Sequence, residues 1–315
     1  MRSSTRLQTW RNRPLVFLFG PTASGKTALV ESLFNTGFQI VNADSVQVYR
    51  HLDIGSAKPS RALMEKIPHH LVDIREPWQQ FTVAAFIEEA DRAVEAIWDD
   101  GDVPLVTGGT AYYFKHFLYG LSEAPAADLG IRAALQSELA AKGPLALHSE
   151  LEKVDPVSAG RIDVHDGYRI TRALEVWRQT GRPLSSFALP SEPRHGMRPL
   201  VLCISRGREE LVRRIGLRTR QMFEEGLVDE VRHLFAMGAD ASWPAMSAIG
   251  YSEFLHARDN GCATLASIEA EIGRDTKAYA KRQVTFFKTF ADLVEIDPDQ
   301  PERVAKVLED YLAQF

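Results

Sequence analysis

The residues best suited to chemistry lie near the N-terminus, where residues 20–27 read Gly-Pro-Thr-Ala-Ser-Gly-Lys-Thr. This run fits the Gly-x4-Gly-Lys-Ser/Thr phosphate loop, whose backbone N–H groups and following helix bind a chain of phosphates. We expect Lys26 to lie along the phosphates and the Thr27 hydroxyl to bind Mg²⁺. The candidate binding residues are Gly20, Pro21, Thr22, Ala23, Ser24, Gly25, Lys26 and Thr27. The loop predicts a di- or triphosphate ligand, without deciding which one or what is done to it.

The segments on either side of this loop supply the context that it needs. Residues 15–19 are an apolar run typical of a buried parallel strand, and residues 28–34 have the character of a helix. The alternative is a Gly-rich turn that binds nothing, and the strand–loop–helix order argues against it.

Polar residues also follow two further predicted strands. Residues 38–41 form an apolar run that leads to Asp44, and residues 103–107 form another that leads into Gly108, Gly109 and Thr110. Because ligands of parallel α/β sheets bind at the carboxyl ends of the strands, we expect Asp44 to face the same mouth as the phosphate loop. Two glycines let backbone approach a ligand closely, although an ordinary turn explains them equally well when they are considered alone.

The composition is that of an ordinary globular protein. The 315 residues are 45% hydrophobic and 25% charged, with a net charge of −5 that argues against a wholly basic nucleic-acid binder but leaves room for a local basic groove. Two cysteines, Cys203 and Cys262, form neither a disulfide framework nor a zinc cluster, and we interpret His69 and His70 as structural or substrate-facing. Neither a membrane span nor a secretory signal is evident, so we expect a cytoplasmic protein.

The order of strand and helix patterns predicts an α/β fold. It consists of a P-loop NTPase-like core with a parallel sheet, interrupted by an all-helical insertion after Gly120. Residues 82–99, 131–141 and 166–180 are the clearest early helices, and we expect residues 166–180 to bury Trp177. We assign residues 1–13 to a flexible tail, 14–120 to the first part of the core, 121–194 to the insertion, and 195–315 to the second part with C-terminal helices.

Basic residues concentrate on two late helices. The predicted helix 208–225 is rich in arginine, and a P-loop protein often needs a cation from a late segment to clamp phosphates. The predicted helix 274–290 places Arg274, Lys277, Lys281 and Lys288 on one face, which suits contacts to a phosphate backbone. A plain solvated helix explains that basic stripe about equally well.

Seven motifs occur in an order that resembles the bacterial tRNA dimethylallyltransferases. The segments, which together span most of the chain, are residues 20–27, Asp44-Ser-Val-Gln-Val-Tyr49, Gly55-Ser-Ala-Lys-Pro59, Pro68-His-His-Leu71, Gly108-Gly-Thr110, Ala248-Ile-Gly-Tyr251 and Tyr279-Ala-Lys-Arg-Gln283. The resemblance implies transfer of a dimethylallyl group from its diphosphate to N6 of the adenosine just 3′ of the anticodon, in tRNAs that read codons beginning with U.

The resemblance also implies roles for individual residues. Asp44, Thr110 and Arg218 match the family's catalytic positions, and Thr22, Ala23, Ser24, Gly25, Lys26 and Thr27 would bind the prenyl donor. The residues implied to contact tRNA are Asp44, Ser45, Val46, Gln47, Thr110, Arg132, Tyr168, Arg169, Arg172, Gly250, Tyr251, Lys281, Arg282 and Gln283. The implied cofactor is Mg²⁺, held by Thr27. The implied partners are the tRNA anticodon stem-loop and dimethylallyl diphosphate, with the protein as a monomer.

Three other functions stay open at this point. An isopentenyltransferase acting on free AMP, ADP or ATP would share the loop and Asp44, but it would have little use for the long arginine-bearing insertion. A small-molecule kinase would use ATP at Lys26, but it gives the Asp44 motif no particular purpose. A non-catalytic P-loop RNA-binding module is the third.

Overall fold

Six short strands form one sheet in this computed structural model, which describes residues 10–187, 190–261, 263–290 and 292–315. The strands are β1 (Val16–Phe19), β2 (Phe38–Asn42), β3 (His69–His70), β4 (Val103–Gly108), β5 (Leu200–Ile204) and β6 (Leu293–Ile296). All pair in parallel, in the order β3-β2-β4-β1-β5-β6. The predicted parallel sheet is therefore confirmed, with β3 and β6 as edge strands that the sequence patterns did not predict.

The strand register brings three loop-bearing strand ends together. Phe19 of β1 pairs with Gly108 of β4, and Asn42 of β2 pairs with Thr107 of β4. The segments that follow β1, β2 and β4 therefore leave the sheet at the same edge. β1 and β2 are buried along their whole length, as expected for strands covered on both faces.

Twelve α-helices are assigned within the described residues. They are α1 (Lys26–Leu33), α2 (Arg61–Lys66), α3 (Val83–Asp99), α4 (Ala111–Tyr119), α5 (Leu129–Val154), α6 (Pro156–Ala159), α7 (Gly167–Thr180), α8 (Arg208–Glu224), α9 (Leu227–Ala236), α10 (Ser252–Asn260), α11 (Leu265–Phe287) and α12 (Pro301–Leu312). The predicted helices at 82–99, 166–180 and 208–225 match α3, α7 and α8 closely. Their ends carry local signals: Thr82 caps α3, and Asp166 caps α7.

The chain divides into two compact units. One runs to Leu118 and resumes at Pro193, and it contains the sheet. The other is Tyr119–Glu192, two residues earlier at each end than the insertion proposed from the sequence, and its assigned elements are helical. Its core consists of Leu135, Leu147, Leu151, Ala159, Ile170, Ala173 and Leu174. α5 is broken at Gly143, where φ is 77° and ψ is 166°, so the predicted helix end is confirmed although helical structure then resumes to Val154.

Several sequence-based expectations need correction. The flexible tail proposed for residues 1–13 includes Trp10, but this residue is 4% exposed and its ring packs against Trp98, so Trp10 belongs to the core. Residues 1–9 and Cys262 lie outside the described residues. α11 begins at Leu265 and not near Arg274, because Thr264 and Ser267 form a capping box. In α7 the buried face includes Val176 in place of the partly exposed Trp177.

Two expectations concerned the roles of His69 and His70 and the absence of a membrane-spanning helix. His69 contacts the Ile67 carbonyl through Nδ1, and His70 contacts Gln39 Oε1 through Nε2, so both rings have partners within the protein. Burial lowers the pKa of each histidine. Across the described ranges, no helix is both long enough and apolar enough to cross a bilayer.

Candidate active site

The phosphate loop links β1 to α1 in a tightly wound conformation. Gly25 adopts φ 101° as the N-cap of α1, a left-handed conformation that suits glycine. Ala23 also has a positive φ, 61°, which costs a non-glycine residue about 1 kcal/mol or more. The Lys26 ammonium folds back to donate to the carbonyls of Gly20 at 2.8 Å and Pro21 at 3.0 Å. The loop thus holds its cation against its own backbone.

An arginine that the sequence reasoning missed holds this loop from the side of β5. Arg206 donates from Nε to the Ser24 carbonyl at 2.6 Å, and its two Nη atoms each lie 2.8 Å from a carboxylate oxygen of Asp299. The Arg206 side chain is 8% exposed. Its position two residues after an apolar strand run was the available signal, because that places it at the carboxyl edge of the sheet.

Gln283 of α11 joins the phosphate loop to the glycine turn after β4. Its Oε1 accepts from the Thr22 backbone N–H at 2.9 Å, and its Nε2 donates to the Gly109 carbonyl. The residue is 2% exposed. Both ends of the amide therefore have partners inside the protein, so Gln283 ties the phosphate loop to the glycine turn, and its contact with tRNA stays a prediction.

Asp44 lies just beyond the end of β2 and shapes the turn that follows. Its Oδ1 accepts from the N–H groups of Val46 at 2.9 Å and Gln47 at 3.3 Å. Thr110 closes the turn from the β4 side, because its hydroxyl accepts from the Ser45 N–H at 2.9 Å and lies 3.1 Å from the Ser45 hydroxyl. Asp44 Oδ2 faces Gly109, where an added Cβ would come within 3.1 Å of it. The arrangement fixes the carboxylate and directs Oδ2 away from the turn.

One cavity of about 1020 Å³ brings these elements together. The predicted site residues in its lining are Thr22, Ala23, Ser24, Gly25, Lys26, Thr27, Asp44, Ser45, Val46, Gln47, Arg218, Gly250, Arg282 and Gln283. Although they are among the described residues, Thr110, Tyr251 and Lys281 are not part of the lining. The cavity also exposes Phe81, Tyr113 and Tyr279, aromatic residues to which the sequence analysis gave no role. The expectation that Asp44 shares a mouth with the phosphate loop therefore agrees with the geometry.

Burial in this cavity shifts the pKa of two cationic side chains and of a tyrosine that lie near Asp44. Burial, and then the neighbouring Arg218 guanidinium, lower the pKa of Lys26 from 10.5 to about 8, with Asp44 opposing both effects. Burial also lowers the pKa of Arg218, which donates to the Thr22 hydroxyl at 3.3 Å. Burial and then the Asp44 carboxylate raise the pKa of Tyr279 to about 12. The cavity therefore contains two desolvated cations, Lys26 and Arg218, that can bind an anion near the Asp44 carboxylate.

A polar network behind the cavity explains two of the motifs. Glu230 accepts from the N–H groups of Asp53, Ile54 and Gly55, and it also accepts from the Tyr251 hydroxyl at 2.7 Å. Tyr251 is fully buried. Tyr251 therefore holds the loop around Gly55 through Glu230, and its contact with tRNA stays a prediction.

Gln47 secures the same loop from the cavity side. Its side-chain amide donates to the carbonyls of Ser56 at 3.1 Å and Ala57 at 3.0 Å. Lys58, 4% exposed, donates to the Tyr49 carbonyl at 2.9 Å and forms ion pairs with Asp53 and Asp73. The motifs at 44–49 and 55–59 therefore stabilise each other.

The residues of the helical unit that the resemblance places against tRNA fall into two groups, paired arginines and exposed side chains. Arg132 and Arg172 both pair with Glu175, at 3.0 Å and 2.9 Å, and the Glu175 side chain is only 2% exposed. Such a buried carboxylate needs its cations, so these two arginines stabilise Glu175, and their contact with tRNA stays a prediction. Tyr168 and Arg169 are instead largely exposed, with Arg169 at 3.3 Å from Asp166.

The outer face of α11 keeps part of its predicted basic stripe. Lys277, Lys281 and Arg282 are exposed, and the Arg282 guanidinium lies 5.8 Å from the Tyr279 ring centroid. Arg274 instead forms ion pairs with Glu271 and Asp275. The cationic surface is therefore centred on residues 277–282.

The polar atoms around Thr27 fit a hydrated cation or a phosphate. The buried Ser24 Oγ, Asn42 Nδ2 and Thr107 Oγ1 lack hydrogen-bond partners in the protein, and all three residues line the cavity with Thr27. Unsatisfied buried polar atoms cost about 1–3 kcal/mol each, so a ligand or its water would stabilise them. Within the described residues no group of three or more His, Cys, Asp or Glu side chains could hold a metal, so a bound Mg²⁺ would rely on Thr27, water and its anion.

Comparisons with known proteins point in one direction. A family model described as IPP transferase matches residues 47–290. The tRNA dimethylallyltransferase of Geobacter sulfurreducens is 45% identical over 278 residues, which cover 87% of this chain and 88% of that protein. The tRNA dimethylallyltransferase of Halorhodospira halophila is 43% identical over 290 residues, with 91% and 93% covered.

Solved structures agree with these sequence similarities. The full-length tRNA isopentenylpyrophosphate transferase of Bacillus halodurans superposes with a TM-score of 0.68 at 31% identity, covering 96% of this chain and 97% of that one. A eukaryotic dimethylallyltransferase acting on tRNA gives a TM-score of 0.78 at 23% identity, covering 96% and 80%, which supports the fold. The predicted P-loop NTPase-like fold is confirmed.

Proposed function

Because the chain belongs to the IPP transferase family, as its motifs predicted, we propose that it transfers a dimethylallyl group to tRNA. The donor is dimethylallyl diphosphate, and the acceptor is N6 of the adenosine just 3′ of the anticodon in tRNAs that read codons beginning with U. The observation that carries the proposal is the single cavity lined by both the phosphate loop and Asp44. The leaving diphosphate needs the phosphate loop and the amine needs a base such as Asp44, so the reaction requires both in one cavity.

The donor end of the cavity suits the diphosphate. Loop N–H groups, Lys26 and Arg218 converge there, and the two side-chain cations are held in a desolvated setting. Charge grows on the bridging oxygen as the carbon–oxygen bond breaks, and preorganised donors stabilise it most strongly where water is excluded. Lys26 would exchange its Gly20 and Pro21 carbonyl partners for phosphate oxygens.

The acceptor end suits an aromatic amine. The N6 lone pair forms the new bond to the dimethylallyl carbon, and the electron pair of the broken bond leaves with the diphosphate. The proton on N6 then passes to Asp44, whose Oδ1 is engaged with the Val46 and Gln47 N–H groups and whose Oδ2 is directed away from that turn. Such a positioned base typically contributes about 10²–10⁴-fold. Thr110 would act by fixing the Asp44–Ser45 turn.

Mg²⁺ is part of the proposal as the cofactor. Thr27 and water would hold the ion, and the Asn42 and Thr107 side chains, which also line the cavity, would bind that water or a phosphate oxygen. When bound, Mg²⁺ neutralises charge on the diphosphate. The remaining work is done by the protein's own residues: the loop and Arg218 orient the donor, and Asp44 takes the proton.

Two exposed surfaces fit a tRNA backbone and loop. Lys277, Lys281 and Arg282 form a cationic surface on α11, and Tyr168 and Arg169 are exposed on the helical unit. Phosphate contacts of this kind fix register and carry no sequence information. We propose that the protein acts as a monomer in the cytoplasm.

An acceptor that is a free adenine nucleotide is the second candidate. The same cavity would accept it, because neither the phosphate loop nor Asp44 distinguishes a free adenine from one in a tRNA. The exposed Tyr168 and Arg169, however, would then have no purpose. Membership of the IPP transferase family leaves the kinase hypothesis without support.

The test offers the acceptors separately. The protein is incubated with Mg²⁺ and dimethylallyl diphosphate, with either unmodified tRNA or AMP, and the products are examined by mass for prenylated adenine. We expect the tRNA product. Prenylated AMP with unchanged tRNA would support the second candidate, and no prenylation of either would refute the proposal.

An Asp44→Asn variant tests the proton acceptor. Asparagine keeps an oxygen for the Val46 and Gln47 N–H groups but removes the charge, so kcat should fall about 10²–10⁴-fold while tRNA binding is retained. Asp229→Asn, on the exposed face of α9, is the matched control and should leave kcat unchanged. Full activity in Asp44→Asn would remove Asp44 from the mechanism.

A further inference from the structure

An exposed tryptophan, Trp78, pairs with the partly buried Trp243 outside the core. Trp78 lies between β3 and α3 and is 48% exposed, and Trp243 lies between α9 and α10. Their ring centroids are 5.1 Å apart with an interplanar angle of 64°. The two rings meet in an edge-to-face arrangement, and Trp78 still keeps about half of its surface in solvent. A large exposed aromatic surface is an informative feature because it costs solubility unless something binds it.

This pair stands at the rim of the cavity. Gln80 and Phe81, which follow Trp78, line the cavity, and so do Pro244 and Ala245, which follow Trp243. The two loops are joined directly, because the Ala245 N–H donates to the Pro77 carbonyl at 3.3 Å. Each tryptophan is thus one or two residues from the cavity wall.

Both rings are carried on turns that are already fixed. The Gln79 N–H donates to the Glu76 carbonyl at 2.9 Å, and the Gln79 side chain accepts from the Glu76 N–H at 2.8 Å. The Trp243 N–H donates to the Asp240 carbonyl at 3.2 Å. A ring held in this way loses little conformational entropy when a ligand stacks on it.

The carboxylate nearest to Trp78 in sequence already has cationic partners. The Glu76 carboxylate, two residues from Trp78, is paired with Arg50, and His51 Nε2 lies 3.9 Å from its other oxygen. The carboxylate closest in sequence to Trp78 is therefore already neutralised. It therefore adds little repulsion to a polyanion that approaches Trp78.

We propose that Trp78, supported edge-on by Trp243, stacks on the unpaired nucleobase next to the adenine that enters the cavity. The inference rests on the proposed function for the identity of the RNA. A base that leaves a single-stranded loop deprives its neighbour of a stacking partner, and an aromatic ring at the rim replaces it. Because every base has a π-face, Trp78 would add affinity without selecting a sequence.

The first experiment measures RNA binding without the prenyl donor. An unmodified anticodon stem-loop RNA is titrated against the wild type, Trp78→Ala and Trp78→Phe, with folding checked by thermal unfolding. We expect Trp78→Ala to weaken binding by about 5- to 150-fold, and Trp78→Phe to recover most of the loss. The matched control is Phe315→Ala, which removes an aromatic ring of the same 48% exposure at the C-terminus and should not change affinity.

A second experiment identifies the base. The base of each nucleotide that flanks the adenosine is removed in turn. At one of the two positions, this removal should weaken RNA binding by the wild type about as much as Trp78→Ala does. At that position the two changes should not add, as required when they remove the same contact. In turnover with saturating donor, Trp78→Ala should raise KM for the RNA and leave kcat unchanged, because the ring touches no reacting atom.

The outcomes separate this inference from the proposed function. If Trp78→Ala prenylates the RNA and binds it as well as the wild type does, the stacking role is refuted and the proposed function stays intact. A wild type that neither binds nor prenylates the RNA would overturn both. Loss of a concentration-dependent dimer in Trp78→Ala, measured by sedimentation, would assign the pair to self-association and also refute the stacking role.

Discussion

The affinity for dimethylallyl diphosphate should depend on the protonation of Lys26 within an accessible pH range. The ammonium is desolvated beside the phosphate loop, which lowers its pKa from 10.5 to about 8. Only the protonated form can offset phosphate charge. An ordinary lysine would stay protonated up to about pH 10. In this cavity the cation begins to be lost two or more pH units earlier.

The magnitude follows from the titration. With a pKa of about 8, almost all of Lys26 is charged near pH 7 and about a tenth near pH 9. If the donor binds the charged form, its apparent Kd should rise about tenfold between those two pH values. The donor's own phosphate ionisation, near pH 6, is complete before this range. Binding above about pH 8 should also be accompanied by uptake of a proton, because phosphate contacts raise the pKa of Lys26.

The assay is calorimetric titration of dimethylallyl diphosphate from about pH 7 to about pH 9.5, in two buffers of different ionisation enthalpy. The difference between the buffers counts the protons taken up. Lys26→Arg is the matched control, because its guanidinium stays charged throughout and its Kd should be flat. Lys26→Met should bind weakly at all pH values.

Stability provides an independent check. The lowering from 10.5 to about 8 corresponds to a cost of roughly 3 kcal/mol for keeping the charged lysine folded. The folded pKa lies below the unfolded value, so the full cost applies below about pH 8 and disappears as the pH rises past 10.5. Any stability advantage of Lys26→Met over the wild type should shrink across that interval.

The binding assay supplies the refuting result. A wild-type Kd for the donor that does not change with pH, with no proton uptake, would refute the desolvation argument.

Two further predictions concern packing. Gln283→Leu leaves the Thr22 N–H without its partner, while the Gly109 carbonyl keeps the Tyr279 hydroxyl at 3.1 Å. It should lower the free energy of unfolding by about 1–3 kcal/mol in urea denaturation, whereas Thr285→Leu on the exposed face should change it by less than about 0.5 kcal/mol. An unchanged midpoint for Gln283→Leu would mean that water replaces the amide. Gly55→Ala would bring a Cβ within 2.6 Å of the Tyr251 ring and should cost about 1–3 kcal/mol. Gly216→Ala, where an added Cβ meets nothing within 4 Å inside α8, should instead stabilise by about 0.5–1 kcal/mol, and equal effects at the two glycines would contradict the packing argument.

The local patterns were sufficient for the parts of the site that are continuous in sequence. A strand, a glycine-rich loop and a helix in succession predicted the phosphate loop, and the structure has them as β1, residues 20–25 and α1. The rule that parallel strands present ligands at their carboxyl ends predicted that Asp44 would share the cavity. These inferences succeed because hydrophobic period, glycine and strand ends act over a few residues.

The division of labour among the motif residues came only from the tertiary structure. Gln283 is 261 residues from Thr22 and 174 from Gly109, yet it bridges both, and Tyr251 holds the loop around Gly55 through Glu230. Arg132 and Arg172 neutralise the buried Glu175, while Tyr168 stays exposed. A sequence shows that a polar side chain is present but not which partner satisfies it. That depends on how strands distant in sequence are ordered in the sheet and how helices pack on them, which no local pattern encodes.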